Sequence, residues 1–254
     1  MRVMQLSDFH VRGDDRLSFR VVDTHHCLDV AVAHLKNLAQ PPDVLVLTGD
    51  LADNGDPNAY RILHAAVSSL AWPTYAIPGN HDRRDRMRDI LPEWCPADPD
   101  VAPYLCYTVE DGPLRLVMID SMHPGSHDGH CHPPVMAWLD KTLARKPDAP
   151  TLLFMHHPPF ATGLPVMDVA VENVDALAAI LRKNPQTRLC CGHIHRPISS
   201  QWMGIMAVTA PAVSMQMELD LGEKGGDEFR LETPGYLLHH WKQGTLNTHV
   251  CQIA

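Results

Sequence analysis

Apolar residues along this chain gather into short runs that stop abruptly at glycine, asparagine, aspartate or histidine. VMQLS at 3–7 and DVLVLTGD at 43–50 are two such runs, and the second is apolar at consecutive positions, as in strands covered on both faces. Between them, VVDTHHCLDVAVAHLKNLA at 21–39 spaces its apolar residues at helical intervals, and PPD at 41–43 ends the helix. PNAYRILHAAVSSLA at 57–71 opens a second helix with proline at its first position, and PTYAI at 73–77 returns as a strand. YLCYTV at 104–109 and LRLVMID at 114–120 flank EDGP and predict a hairpin, followed by a helix over 133–146. TLLFMHH, VENVDALAAILRK and TRLCCGH then predict strand, helix and strand. QWMGIMAVTA, GYLLHHW and TLNTHVCQI close the chain as antiparallel strands.

This alternation predicts an α/β protein in which helices cover a partly parallel sheet that becomes mixed near its end. Without a repeat, low-complexity tract or linker, residues 1–254 read as a single domain. The polar stretch 214–233, SMQMELDLGEKGGDEFRLET, is expected to be a lid or oligomerisation insertion, or else a plain surface loop.

Composition narrows the function. Apolar residues make up 45% and charged residues 20%, ordinary globular usage that disfavours disorder and fibrous classes. Thirty acidic against 21 basic side chains give a net charge of −9, so long nucleic acid is not an expected partner. MRVMQLSDFH reaches Asp8 and His10 before a signal-type run develops, and no stretch has the ~18 apolar residues of a membrane helix. A cytoplasmic location without membrane association is expected. Seven cysteines, odd in number and without a CxxC pair, suit reduced thiols.

The positions of the 17 histidines carry more information than their number. Potential ligands recur where apolar runs end: Asp8 and His10, Asp50, Asn80 and His81, His156 and His157, His193 and His195. Loops at the carboxyl ends of parallel strands share one crevice, so these five ends are expected to converge. In extended backbone, Asp8 with His10 and His193 with His195 would each point to one side. Gly49, Gly79 and Gly192 precede ligands and would permit tight turns or close backbone approach. The donors are carboxylate oxygen, amide oxygen and imidazole nitrogen, a set that suits Zn, Fe or Mn. They are too many for one ion.

In order, DFH, GD, GNHD, HH and GHIH resemble the binuclear metallophosphoesterase (calcineurin-like) superfamily over roughly residues 6–196. DxH, GNHD, MHHPP and CGHIH are most similar to its class III cyclic-nucleotide and glycerophosphodiester phosphodiesterase group. The resemblance implies layered mixed β-sheets forming a sandwich flanked by helices. It implies that Asp8, His10 and His195 bind one divalent transition metal, and Asn80, His156 and His193 the other. Asp50 would bridge them, and Fe, Mn, Zn and Co are the candidate ions. A hydroxide held between the ions would attack a small phosphodiester in line. His81 would protonate the leaving group or contact phosphate, with Asp82 either orienting its ring or supporting the metal site. Of His156 and His157 either could bind metal; the resemblance, with one histidine at this block, favours His156 and leaves His157 to contact substrate or stand behind the ligands.

The resemblance also implies a homo-oligomer. A phosphomonoesterase or nuclease on the same fold is the alternative, with a non-catalytic scaffold disfavoured by the complete ligand set. Against particular alternatives, GDLADNG lacks the Arg-Gly of protein phosphatases and has Asp53 where purple acid phosphatases place tyrosine. The run HPGSHDGHCH at 123–132 reads as a second metal site, a pocket wall or a solvated loop.

Overall fold

The computed structural model describes residues 1–222 and 228–254. Its first half runs β1 (Arg2–Leu6), α1 (Thr24–Lys36), β2 (Val44–Thr48), α2 (Pro57–Ser68), β3 (Thr74–Ile77) and α3 (Arg84–Ile90). Next come β4 (Tyr107–Val109), β5 (Arg115–Met118), β6 (Gly129–His130), α4 (Pro133–Ala144), β7 (Thr151–Phe154), β8 (Val171–Glu172) and α5 (Val174–Arg182). The remainder is β9 (Thr187–Cys191), β10 (Ile198–Trp202), β11 (Ile205–Thr209), β12 (Gln216–Met217), β13 (Phe229–Arg230), β14 (Gly235–Lys242) and β15 (Thr245–Gln252).

Two mixed sheets result. One has the order β15-β14-β1-β2-β3 and the other β10-β11-β9-β7-β5-β4. Alternation along each strand decides the layers. In β2, Leu45 and Leu47 face outward onto Leu28 and Leu35 of α1 and Tyr60 and Leu63 of α2. Val44 and Val46 face inward, where they share a core with Leu116, Leu152 and Phe154 of the second sheet. Leu153 and Leu189 point the other way, onto Leu139 of α4 and Leu177 of α5. The layers are therefore helix, sheet, sheet, helix, the sandwich the family resemblance implies, and β2, apolar from Val44 to Leu47, is buried on both faces.

Some expectations change. The run 201–210 is not one strand: it turns at Met203 and Gly204, whose φ angles are 51° and 85°. Its second half, β11, also pairs parallel with β9, so the C-terminal strands are not all antiparallel. α3 escaped the pattern because Met87 is its single buried residue. All seven cysteines are free, as expected. Of the 214–233 stretch, residues 223–227 lie outside those described, and the flanks form the pair β12–β13. No helix among the described residues is long and apolar enough to cross a membrane.

His239 of β14 is fully buried in a polar seam, its Nδ1 2.9 Å from Thr248 Oγ1 and its Nε2 3.1 Å from Gln5 Oε1. Burial, helped by the charge of Arg188, pushes it from an ordinary 6.5 down to about 3. Between those values the unfolded chain binds a proton that the folded chain refuses, so this stability is present above 6.5 and is lost as pH falls. His239→Gln should therefore lose less thermal stability than the parent between about pH 6.5 and about pH 4.5. Parallel melting-temperature curves for the two proteins would contradict this.

Candidate metal centre

The loops that leave β1, β2, β3, β7 and β9 at their carboxyl ends meet across the mouth of the sandwich. Backbone bonds interlock them: Asp8 N donates to Gly49 O at 3.1 Å, His10 N to Asp50 O at 2.9 Å, and Gly192 N to His156 O at 3.0 Å. The residues that project into this space do not lie in extended backbone. Asp8, His10, Asp50, His193 and His195 all adopt positive φ, between 47° and 70°. The extended-strand geometry expected for the Asp8–His10 and His193–His195 pairs is thus replaced by left-handed kinks, which for non-glycine residues cost about 1–3 kcal/mol each. Aspartate and histidine tolerate that region better than most side chains, and Gly49 shares it at φ 92°. Gly79 and Gly192 serve close approach instead. A Cβ at Gly79 would overlap the Asp50 carboxylate and backbone, and one at Gly192 would overlap Ser7 Oγ.

The seven sequence-predicted ligands come together. Asp8, His10 and His195 offer ligand atoms within 4.8 Å of one another, as do Asp8, Asp50 and His156. His10 Nε2 lies 3.1 Å from His195 Nε2. Asp50 Oδ2 stands 3.6 Å from His10 Nε2 and 3.4 Å from His156 Nε2, between the two sets. Asn80 Oδ1 is 3.1 Å from both His156 Nε2 and His193 Nδ1. The far nitrogens are tied down: His156 Nδ1 donates to Thr48 O at 2.7 Å and His195 Nδ1 to Met215 O at 2.8 Å. Each of these rings therefore turns an Nε2 lone pair inward when neutral.

That arrangement fits divalent cations. The His156 lone pair faces the Asn80 carbonyl oxygen at 3.1 Å, two acceptors with nothing to share unless a cation or proton lies between them. His10 Nε2 and His195 Nε2 likewise face each other at 3.1 Å, beside the carboxylates of Asp50 and Asp8. The charges point the same way. Burial raises the Asp8 carboxyl, while Asp50, also penalised by burial, is held well below the carboxylate range by His156, His81 and His10. Burial lowers His156, but Asp50 and Asp8 outweigh it and lift the ring to about 9. Burial drives His10 well down and His193 to about 3.

His81 Nδ1 lies 2.6 Å from the Asp53 carbonyl oxygen and not against Asp82. Asp82 is instead buried beneath the site, accepting from Leu51 N, Ala52 N, Gly79 N and Tyr60 Oη at 2.9–3.2 Å. Its expected role of orienting the His81 ring is therefore corrected. A carboxylate surrounded by four donors fastens the Asp50 loop to the Gly79–Asn80 loop, and it does so although burial and nearby Asp50 raise it to about 6. His157, expected against substrate or behind the ligands, is fully buried with Nδ1 2.8 Å from Ser121 Oγ. Its ring centroid lies 4.9 Å from that of His156 and 5.1 Å from that of His193, and the three rings offer ligand nitrogens within 4.8 Å of one another, so it borders the donor cluster but does not line the adjoining cavity.

That cavity, about 810 Å³, is lined by Asp53, Asn80, His81, Arg84, Met122 and His127 among others. His127 thus belongs to a pocket wall, and its Nδ1 lies 2.9 Å from Asn80 Nδ2. Nothing in HPGSHDGHCH distinguishes it from the neighbouring histidines. The pocket-wall reading of that run holds for His127, whereas Asp53 was missed as a site residue; Arg12 Nη1 holds its carboxylate at 2.7 Å. Its spacing three residues after Asp50 was the available signal. Phe229 of β13 packs on His195 with ring centroids 5.6 Å apart, so the described part of the 214–233 stretch flanks the site.

The sequence profile of the calcineurin-like phosphoesterase family matches residues 1–197. A probable glycerophosphodiester phosphodiesterase of Arcobacter nitrofigilis is 36% identical over all of this chain and 94% of its own length. A cAMP/cGMP dual specificity phosphodiesterase of Mycobacterium tuberculosis is 33% identical over 88% of this chain and 70% of its own. The purple acid phosphatase of yellow lupin seeds superposes with a TM-score of 0.63 at 13% identity, over 94% of this chain and 49% of that one. Protein TT1561 of Thermus thermophilus gives 0.57 at 13% identity, over 100% and 99%. Both structures share the fold.

Because a methyl group at Gly79 would displace Asp50, Gly79→Ala should retain far less divalent metal per chain while its far-ultraviolet circular dichroism stays parental. Elemental analysis after gel filtration reads the difference. Undiminished metal content would contradict the close-approach role.

Proposed function

The chain belongs to the calcineurin-like phosphoesterase family, and we propose that it is a metal-dependent hydrolase of small phosphodiesters, either cyclic nucleotides or glycerophosphodiesters. One observation carries this reading: two sets of oxygen and imidazole donors share Asp50, whose Oδ2 lies within 3.6 Å of a histidine nitrogen on each side. The names of the relatives that match nearly the full chain support the substrate class.

Asp8, His10 and His195 would hold one cation, Asn80, His156 and His193 the other, and Asp50 both. Carboxylate, amide and imidazole donors without thiolate suit Fe, Mn, Zn or Co. When bound, a pair of such ions lowers the pKa of water and takes up charge on the phosphoryl oxygens. The protein's own contribution is positional. Thr48 O and Met215 O fix the tautomers of His156 and His195, so their Nε2 atoms are presented without rotation. His81 donates from Nδ1 to the Asp53 carbonyl, which leaves Nε2 to carry a proton toward the departing alkoxide or to bond a phosphoryl oxygen. Arg12 and Ser18 hold the Asp53 carboxylate and so keep that carbonyl in place.

Metal-stripped protein should be inactive on bis-nitrophenyl phosphate and on glycerophosphoethanolamine or cyclic AMP, and should recover with Mn, Zn, Fe or Co. A clear preference for mono-nitrophenyl phosphate would contradict a diesterase. His81→Ala should lose roughly 10²–10⁴ in rate on the natural diester, and much less on the nitrophenyl diester, whose leaving group needs no proton. Equal losses on both would remove the acid role.

A further inference from the structure

β15 is an edge of the first sheet, and beyond the Arg188 guanidinium, which donates to Leu246 O at 3.0 Å and Thr248 Oγ1 at 2.8 Å, its backbone is open. Its eight residues, TLNTHVCQ, contain no Asp, Glu, Lys, Arg or Pro, within a chain of net charge −9. It also pairs with β14 continuously, from Lys242↔Thr245 to Gly235↔Gln252, without a bulge. Charges, prolines, bulges and covering segments are how sheet edges are ordinarily blocked.

The connecting turn fixes which groups are available. Gln243 and Gly244 both have positive φ, 51° and 79°, as in the two-residue hairpin turn whose flanking residues exchange both backbone bonds. Alternation from Lys242↔Thr245 then commits Thr245, Asn247, His249 and Cys251 to β14. Leu246, Thr248, Val250 and Gln252 turn their N–H and C=O groups away from it. Among the described residues, one of these outward groups has a protein partner: the Leu246 carbonyl accepts from Arg188 Nη2 at 3.0 Å.

The other edges differ. At β3 the Ala76 N–H is taken by Trp94 O at 2.8 Å and Tyr107 Oη at 2.9 Å. The edges of the second sheet, β10 and β4, are five and three residues long. β15 is the long edge with unspent donors, and what fits it is another extended strand.

We propose that two copies of this chain associate by antiparallel pairing of β15 with β15, joining their five-stranded sheets into one continuous sheet across a twofold axis. An antiparallel strand is self-complementary about such an axis. No carboxylate, ammonium or guanidinium belongs to 245–252, so the strand sets no like charges of its own opposite one another, and a register centred on Val250 keeps the Arg188 guanidinium at Leu246 and Thr248 apart from its copy. Val250, 59% exposed, supplies apolar contact beside the new ladder.

The test uses the metal-loaded full chain. Light scattering coupled to gel filtration should give twice the chain mass. Val250→Pro removes one outward N–H and leaves the β14 ladder intact, since prolines are tolerated on that side of an edge strand; it should be monomeric with parental circular dichroism. Val250→Thr keeps the N–H and should stay dimeric. A monomeric parent, or a dimeric Val250→Pro, overturns the proposal. Should Val250→Pro misfold, hydrogen exchange of the parent decides. The Thr248 and Val250 amides should gain protection as protein concentration rises, while Asn247 and His249 are protected throughout. Outward amides that exchange freely in a dimeric sample would overturn it too.

Discussion

The structure depends on the buried carboxylate of Asp50. It is 2% exposed and lies between imidazoles supplied by opposite sheets, with a second carboxylate, Asp8, buried nearby. Burying two carboxylates is costly unless positive charge and hydrogen bonds compensate them. Among the described residues no lysine or arginine is paired with either; the compensation comes from histidine rings and backbone N–H groups, which leaves room for cations. The left-handed kinks at five ligand positions are the conformational cost of aiming these side chains at one point. The interlocked loop backbones and the four hydrogen bonds of Asp82 keep those kinks in place.

The sandwich makes such convergence possible. Each sheet buries one face against helices and the other against its partner sheet, so the carboxyl ends of β1, β2 and β3 stand beside those of β7 and β9. His193 N, from the second sheet, donates to both oxygens of Asp8, from the first, at 3.2 Å. A shift of either sheet would therefore be felt at the site, which couples core packing to the position of each potential ligand.

Much of this was legible in the chain. Consecutively apolar runs such as VLVL marked strands covered on both faces, and DFH, GD, GNHD, HH and GHIH marked the loops between them, because those positions demand particular donor atoms at strand ends. What local pattern does not encode is contact between distant segments. Asp82 follows His81 in sequence, which suggested a ring-orienting partner, yet its carboxylate turns inward to Leu51, Ala52, Gly79 and Tyr60. His127 meets Asn80 across 47 residues of chain, and no feature of its own segment sets it apart from four neighbouring histidines and cysteines. The kinks at Asp8 and His193 were missed because residue spacing reports the direction of a side chain only once the backbone conformation is known.

The direct measurement of the central claim is the metal content of Asp50→Asn, a substitution that keeps the shape and removes the charge shared by both sets of donors. Elemental analysis should find about two transition-metal ions per parental chain, as for two-metal hydrolases, and one or fewer in the variant at unchanged circular dichroism. A variant that still retains two ions per chain would contradict the account.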